Sequence, residues 1–462
     1  MSTTTHAPLA AGLDLGSTSL KILVLDAEGT QLCLHQRATP WRSGRDGATE
    51  LDAAELTTAV WALLADAGQE LDRLGYHGRS VGALAISGMG ESGFLVDQTG
   101  AAVAPAIAWF DGRGQDQLAQ LPPQIREQFP GRTGLPLGVQ VSVIKILMLR
   151  DQGISLQDLR WLGLPEYVAT ALGGSPVSEY SLASRTGMLD QDTGRTWSQL
   201  LEHLGVTADF IPPLVVAGSD LGSISGACAP THFHRARITI AGHDHLVAAT
   251  ADGAAVDGGY YASMGTAEVL VRILRTPLSP ASRTRLAEHL INCVRHVVPG
   301  QYVLVAGVKS GLLMRRALQL VGIHDREGRD HLDAEVLALP VGGRLEPSAI
   351  TLSGARNDDG ILVLTVRGDG VSPAELFAAA LRHGNDELAR LIEVMDREVP
   401  PARTTRLTGG WADMRSVQRA RSEVLPHLKV SARAQGTAYG AALFAQHLLS
   451  HPLDGFPAIS PV

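Results

Sequence analysis

An α/β fold in two domains with a cleft between them is what the sequence predicts, and three observations predict it. The chain has 462 residues, too many for one ordinary core and suited to two domains of about 200 residues each. Its opening reads strand, strand, strand, helix, strand. Part of that order recurs in the second half. A polar stretch near Pro230 to Arg237 precedes a new strand, which divides the chain into units 1–233 and 234–462.

The elements follow from the residues in order. Leu9 to Leu15 is a strand, Gly16-Ser17-Thr18 a turn, and Leu20 to Leu25 a second strand ending at Asp26-Ala27-Glu28-Gly29. Gln31 to Arg37 is a third. Asp52 and Glu55 form a capping box for a helix whose apolar face is Leu56, Val60, Leu63, Leu64 and Leu71. Val81 to Ile86 is a buried strand. This order is the opening of the ribonuclease H-like unit shared by actin-like ATPases. In the second half, Ile238 to Ala241 is a strand with a helix from His245. Tyr260 to Met264 and Glu268 to Ile273 form a hairpin. Gln301 to Ala306 is a strand, Gly311 to Leu320 and Pro373 to Met395 are helices, and Thr405 to Leu407 is a strand. Helices at Ser416 to Leu425 and Gly436 to Leu449 close the chain.

Hydrophobic content of 45% and charged content of 19% describe a globular protein. A net charge of -8 speaks against a nucleic-acid or anionic-membrane partner. Cys33, Cys228 and Cys293 show neither metal-ligand spacing nor a disulfide framework, which places the chain in a reducing cytoplasm. The Thr-rich start lacks a secretory pattern. The longest apolar run, Val141 to Leu149, is interrupted by Lys145 and too short to span a bilayer.

Four segments carry chemistry. In Gly12-Leu13-Asp14-Leu15-Gly16-Ser17-Thr18-Ser19-Leu20-Lys21, a strand ending in Asp meets a hairpin of Gly and hydroxyl residues. Such a turn offers free N–H groups and hydroxyls to phosphate oxygens, and Asp14 can hold Mg²⁺ through water. An ordinary polar β-turn explains the segment equally well. Ser263-Met264-Gly265-Thr266-Ala267-Glu268 repeats that chemistry. Ala241-Gly242-His243-Asp244-His245 lies just past a strand end, where open sheets bind ligands, so Asp244 is a candidate general base. A helix N-cap for Asp244, or a metal pair at His243 and His245, are the alternatives. In Leu407-Thr408-Gly409-Gly410-Trp411-Ala412, the glycines let backbone lie against an adenine or ribose, or simply turn the chain. Gly88, Gly90 and Gly93 spell a dinucleotide fingerprint, but Phe94-Leu95-Val96-Asp97 continues as a strand where that motif needs a helix.

In this order and spacing the four segments resemble the FGGY carbohydrate kinases, from about Gly12 to about Leu449. Ile86 to Asp97, Ala106 to Asp111, Arg132 to Pro136 and Tyr180 to Thr186 fit the same family. The resemblance implies two ribonuclease H-like, actin-like ATPase domains around a cleft, and transfer of the γ-phosphate of ATP, with Mg²⁺, to a small sugar or polyol. It places phosphates and metal at Asp14, Gly16, Ser17 and Thr18 with Lys21 nearby, and the second phosphate turn at Gly265 and Thr266. It makes Asp244 the catalytic base and a metal neighbour, with His245 touching substrate. Nucleotide contacts fall at Gly307, Ser310, Gly409, Gly410, Asp413 and Met414, and sugar contacts at Gly90, Glu91, Trp109 and Asp111.

The chain departs from the family in having Met414 where Asn is frequent, and in Leu339 to Val366, where Asn357-Asp358-Asp359-Gly360 precedes a strand from Ile361. Gly90 stands where glycerol-type members carry Arg, which disfavours glycerol; pentuloses such as xylulose or ribulose, gluconate-like acids, tetritols and cyclitols stay open, with a pentulose ranked first. Trp61, Trp161 and Trp197 read as packing, Lys145 and Arg185 as surface or rim cations, and Cys228 and Cys293 as buried spacers. The oligomeric state stays open, a homodimer included. The rival readings are a catalytically weak sugar-sensing protein and a chaperone-type ATPase, which would need a peptide-binding segment before the chain's end at Val462.

Overall fold

The computed structural model describes residues 7–226, 228–253, 258–340, 345–355, 361–431, 433 and 435–451. The expectations for residues 1–6, 341–344 and 357–360 lie outside the described residues.

Strands β1 (Leu9–Leu15), β2 (Ser19–Leu25) and β3 (Gln31–Ala38) form the expected meander. Helix α1 (Ala53–Arg73) follows and buries the predicted face. Asp52 caps it by accepting the N–H groups of Ala54 and Glu55. The other half of the capping box is absent, because Arg42 draws the Glu55 carboxylate into an ion pair. Strand β4 (Val81–Gly88) then pairs in parallel with β1. The fingerprint glycines lead into a strand, Gly93–Val96, antiparallel to Arg160–Gly163. The apolar run after Val141 is a buried helix, α2 (Ser142–Asp151).

Strand β5 (Arg237–His243) corrects the sequence reading. It does not open the second half but pairs in parallel with β4, completing a sheet of order β5-β4-β1-β2-β3. Helix α3 (Asp244–Ala251) follows it.

The recurrence begins instead at β6 (Gly259–Met264) and β7 (Glu268–Leu274). After an extra edge strand, β8 (Asn292–Arg295), come β9 (Tyr302–Val308) and helix α4 (Ser310–Leu320). Next are α5 (Arg326–Ala338), α6 (Pro373–Asp396), β10 (Thr404–Thr408), α7 (Arg415–Arg421), β11 (Leu428–Val430) and α8 (Gly436–Ser450). The second sheet runs β8-β9-β7-β6-β10-β11. Without β8, it repeats the first: a three-stranded meander, then two strands parallel to its first member. The strand expected from Ile361 is Val363–Val366, paired with Ile350–Ser353 in a separate hairpin.

Helix α8 packs on β1 and on α3, joining the halves. Gly12 makes this approach feasible, since a Cβ there would lie 2.1 Å from the Ala438 carbonyl oxygen. Among the described residues no helix is long and apolar enough to cross a membrane. Trp161 and Trp197 are core residues and Trp61 packs against the core. Cys293 is buried as expected, whereas Cys228 is exposed.

Candidate active site

Three parallel strands end side by side: Asp14 is paired with Ser87, and Gly88 with His243. The carboxyl ends of β1, β4 and β5 therefore deliver Asp14, Gly90-Glu91 and Asp244 to one place, the usual ligand edge of an open sheet.

Asp14 is almost fully buried and its Oδ1 has no hydrogen-bond partner. Burial, then the negative charge of Asp244, pushes its pKa up to about 7, against a smaller opposite pull from Lys21. Lys21 faces Asp14 across the hairpin. The turn Gly16-Ser17-Thr18 is braced from β3 onward. The Thr39 hydroxyl donates to the Gly16 carbonyl at 2.6 Å and the Trp41 indole N–H to that of Ser17 at 2.8 Å.

Asp244 is the first residue of α3 and His243 is its cap, so the N-cap alternative falls to the neighbour. Burial raises the Asp244 carboxyl, but His245, the His245 N–H at 2.6 Å and Arg185 outweigh it and hold the group below the ordinary carboxylate range. The group stays ionised, as a proton acceptor must be. Burial holds His243 far down, at about 3, so it is neutral. Among the described residues no cluster of three or more His, Cys, Asp or Glu side chains is arranged for a metal.

The Asp244 segment is fixed from below. Glu179 accepts the N–H groups of Ser181 and Leu182 and the Ser181 hydroxyl, and Ser181 Oγ accepts the His243 N–H at 3.0 Å. Gly242 has φ 106°, and a Cβ there would lie 2.6 Å from Ser181 Oγ, so only glycine fits. Burial, then weaker opposing hydrogen bonds, raises Glu179 to about 8 and its neighbour Glu166 to about 7. Both keep protons in the folded protein that a free glutamate loses near 4.5. The native state thus binds more protons than the unfolded one between those limits, so stability falls as pH rises through that interval and levels off above it. The variant Glu179→Gln should flatten the slope of melting temperature against pH between about 5 and 8. An unchanged slope in calorimetric scans would show that Glu179 is not the protonated group.

On the acceptor side Glu91 is buried, and burial raises its pKa despite the opposite pull of Arg185. Its φ of 63° is unusual for a residue with a side chain. The Ser142 hydroxyl pins its carbonyl at 2.7 Å. Arg185 is no rim cation. It forms an ion pair with Glu91 beside Gly90. Trp109 is partly exposed and meets Phe110 edge-on, which in turn meets Trp41.

Asp111 is not open to a sugar. Both its oxygens accept from Arg113, and Thr49 N–H donates at 2.9 Å. Lys145, likewise misread as a rim cation, is buried and donates to the backbone carbonyls of Asp111 and Arg113. Burial, partly offset by Asp111, lowers its ammonium to about 8.

In the second sheet β6 and β10 end together, with Ser263 paired to Thr408. Gly265-Thr266 and Gly410 are exposed beside each other's strands. Gly409, φ 99°, is wedged against Met264, where a Cβ would lie 2.5 Å from the carbonyl oxygen. The N-terminus of α4 seats on the Gly265 turn. A Cβ on Gly311 would lie 1.8 Å from the Gly265 oxygen, and Leu312 N–H donates to that of Thr266 at 2.8 Å. Gly307 and Asp413 are exposed. Two expected nucleotide contacts are corrected. The Ser310 hydroxyl is buried and donated to Glu268, and Met414 is packed in the core. Burial, and after it the negative charges of Asp252 and Asp244, raise the Tyr261 phenol on β6 above its ordinary value, so the second half closes on the first near the candidate base.

The sequence did not reveal Thr39, Trp41, Gly311, Glu179, Ser142 or the role of Arg185. All but Glu179 act through partners distant in the chain, and of them only Arg185 stood within a recognised segment, Tyr180 to Thr186.

A sequence profile of the FGGY family of carbohydrate kinases, N-terminal domain, matches residues 9–251. A glycerol kinase of Polaromonas naphthalenivorans (strain CJ2) is 30% identical over 223 residues, covering 46% of this chain and 44% of that protein. The chain thus aligns with less than half the length of this curated relative. Xylulose kinase from Rhodospirillum rubrum superposes with TM-score 0.82 at 21% identity, covering 97% of this chain and 92% of that one. Gluconate kinase from Lactobacillus acidophilus does so with TM-score 0.81 at 18% identity, covering 97% and 90%. These likenesses show the two-domain actin-like ATPase fold. With more than half its length matched by the profile, the chain belongs to the FGGY family of carbohydrate kinases.

Proposed function

We propose that this chain is an ATP-dependent kinase that transfers the γ-phosphate of ATP to a hydroxyl of a small sugar or polyol, a pentulose fitting best, with Asp244 as general base. The observation that carries the proposal is the pair at the sheet edge: an ionised Asp244 beside an Asp14 that carries a buried, unpartnered oxygen. Asp244 takes the hydroxyl proton, the freed oxygen bonds to the γ-phosphorus, and the bond to the bridging oxygen breaks to leave ADP. Gly16-Ser17-Thr18 and Gly265-Thr266 hold phosphate oxygens through backbone N–H groups. The nucleotide runs over Gly307, Gly410 and Asp413, with Gly409 shaping the turn. Glu91, Trp109 and His245 line the acceptor, while Gly90 makes room for Arg185.

An orphaned carboxylate oxygen next to a second carboxylate fits a hard divalent cation, and Mg²⁺ is commonly held by one or two carboxylates plus substrate phosphates. Asp14 and Asp244 would hold it, and when bound it neutralises charge on the phosphates. The boundary between the units is best drawn after α3, since β5 belongs to the first sheet. Cytoplasmic residence agrees with the absence of a membrane-length helix among the described residues.

A panel of ketoses, polyols and aldonates, assayed by coupled ADP release, tests the proposal. Turnover on one acceptor is expected. ATP binding without acceptor-dependent turnover anywhere in the panel would refute it.

A further inference from the structure

We propose that Arg295 is a positioning residue: from the second half it clamps Tyr180 and so holds the support on which Asp244 stands. The inference deepens the kinase reading above, on which its expected rate effect rests.

Strand β8 is an addition to the repeated sheet, and its contacts say what it adds. It and the helix before it, Pro280–Ala287, lie against the first half. The Cys293 N–H donates to the Gly134 carbonyl at 2.7 Å. A Cβ on Gly134, φ 70°, would lie 1.8 Å from the Cys293 oxygen, so the two backbones touch. Arg283 donates from Nε to the Gly131 carbonyl at 2.6 Å and from Nη2 to Asp192 at 2.8 Å.

Arg295 ends β8 inside this seam. Its guanidinium carbon lies 5.3 Å from the ring centre of Tyr180 and 5.6 Å from that of Tyr302, its cross-strand neighbour. Cation–π contacts of this kind strengthen as the cation loses water. Nη2 donates to the Gln191 carbonyl at 3.1 Å, while Nε is buried without a hydrogen-bond partner. Gly194, φ 63°, leaves room for the guanidinium, since a Cβ there would lie 2.8 Å from Nη2. Two aromatic faces and one carbonyl therefore fix the cation.

Tyr180 opens the short helix Tyr180–Ala183. Around it stand the groups that fix the base. Glu179 accepts from the Ser181 and Leu182 N–H groups, and Ser181 Oγ accepts the N–H of His243, which precedes Asp244. Val297, two residues past Arg295, reaches the same place from the second half. A Cβ on Gly242 would lie 2.6 Å from Val297 Cγ1 and 2.6 Å from Ser181 Oγ. The sheet order β8-β9-β7-β6 joins this seam to the Gly265-Thr266 turn. Arg295 thus ties the base on one half to the proposed phosphate turn on the other. A shift of about 1 Å in such a span costs up to about a hundredfold in rate.

Hydrogen–deuterium exchange of the nucleotide-free protein, with steady-state kinetics in parallel, tests the inference. The kinetic probes are Mg-ATP with xylulose, ribulose and gluconate as acceptors. Arg295→Met keeps an apolar stem and loses the cation. Amide exchange over Tyr180 to Arg185 and His243 to Leu246 should rise at least about threefold, with β1 unchanged. Alignment is lost and binding is not, so kcat should fall about ten- to a hundredfold with both KM values held within about twofold. Arg295→Lys, which also sets a cation over a ring, should restore most of kcat. Tyr180→Leu breaks the same contact from the other half. It should lose as much kcat as Arg295→Met, and the double variant little more than either.

Unchanged exchange in both segments, wild-type kcat in a folded Arg295→Met, a loss confined to the KM values, or additive losses in the double variant would each overturn the inference. So would equal kcat in the Met and Lys variants. A wild type that phosphorylates no acceptor would instead sink the kinase reading, and the exchange contrast alone would then support or overturn the clamp. Should Arg295→Met fail to fold, Tyr180→Leu carries the same test.

Discussion

Replacing Asp244 by Asn should lower kcat for the best acceptor by about a thousandfold, within the range a positioned general base supplies, which is about 4 kcal/mol of barrier. The amide keeps the shape and can still bond the His245 N–H through its oxygen, so the start of α3 should persist. Only the capacity to take a proton is lost. The negative charge beside Asp14 goes too, and the Asp14 carboxyl should then ionise more readily, since Asp244 is its second-largest raising influence after burial. The proposed nucleotide contacts at Gly265-Thr266 and Gly410 lie on the other sheet and should be untouched. Coupled ADP release for kcat, with fluorescence titration of ATP, reads both. A variant retaining a tenth of wild-type kcat would remove Asp244 from the role of base.

The largest loss of stability is expected at Arg421→Met. Arg421 and Glu268 are both fully buried. The guanidinium bonds both Glu268 oxygens, the Asn385 side chain and the Leu381 carbonyl. Glu268 also accepts the Ser310 hydroxyl at the start of α4. Removing the arginine leaves a buried carboxylate uncompensated, at a cost of about 3–5 kcal/mol. For a domain of this size that lowers the melting temperature by roughly 6–20 °C. Glu268 directly follows the Gly265-Thr266 turn, so the KM for ATP should rise as well. A scan showing a shift under 2 °C would mean that the site relaxes or admits water.

The meander, the helix from Asp52 and both hairpin turns were legible because their signals are local: apolar runs of strand length, a capping Asp, and Gly-hydroxyl turns. Position along the sheet was not. The run at Ile238 to Ala241 is apolar and short, which suits any central strand. Only its pairing with Ala83 to Gly88, far back in the chain, shows that it ends the first sheet. Charged residues were the hardest to place. Arg185 and Lys145 look like ordinary surface cations until their partners appear, Glu91 for one and the Asp111 and Arg113 carbonyls for the other. Asp111 lies in a sugar-binding stretch by resemblance, yet Arg113, two residues on, claims its carboxylate. Ser310 and Met414 failed likewise, because a motif gives position along a strand end and not which way a side chain packs.

Phosphorus NMR of the wild type with ATP, Mg²⁺ and the panel of acceptors tests the central claim most directly. The account predicts a phosphomonoester resonance growing in step with ADP for one neutral polyhydroxy acceptor, and none with Asp244→Asn. Release of ADP and free phosphate at the same rate with and without every acceptor would contradict it.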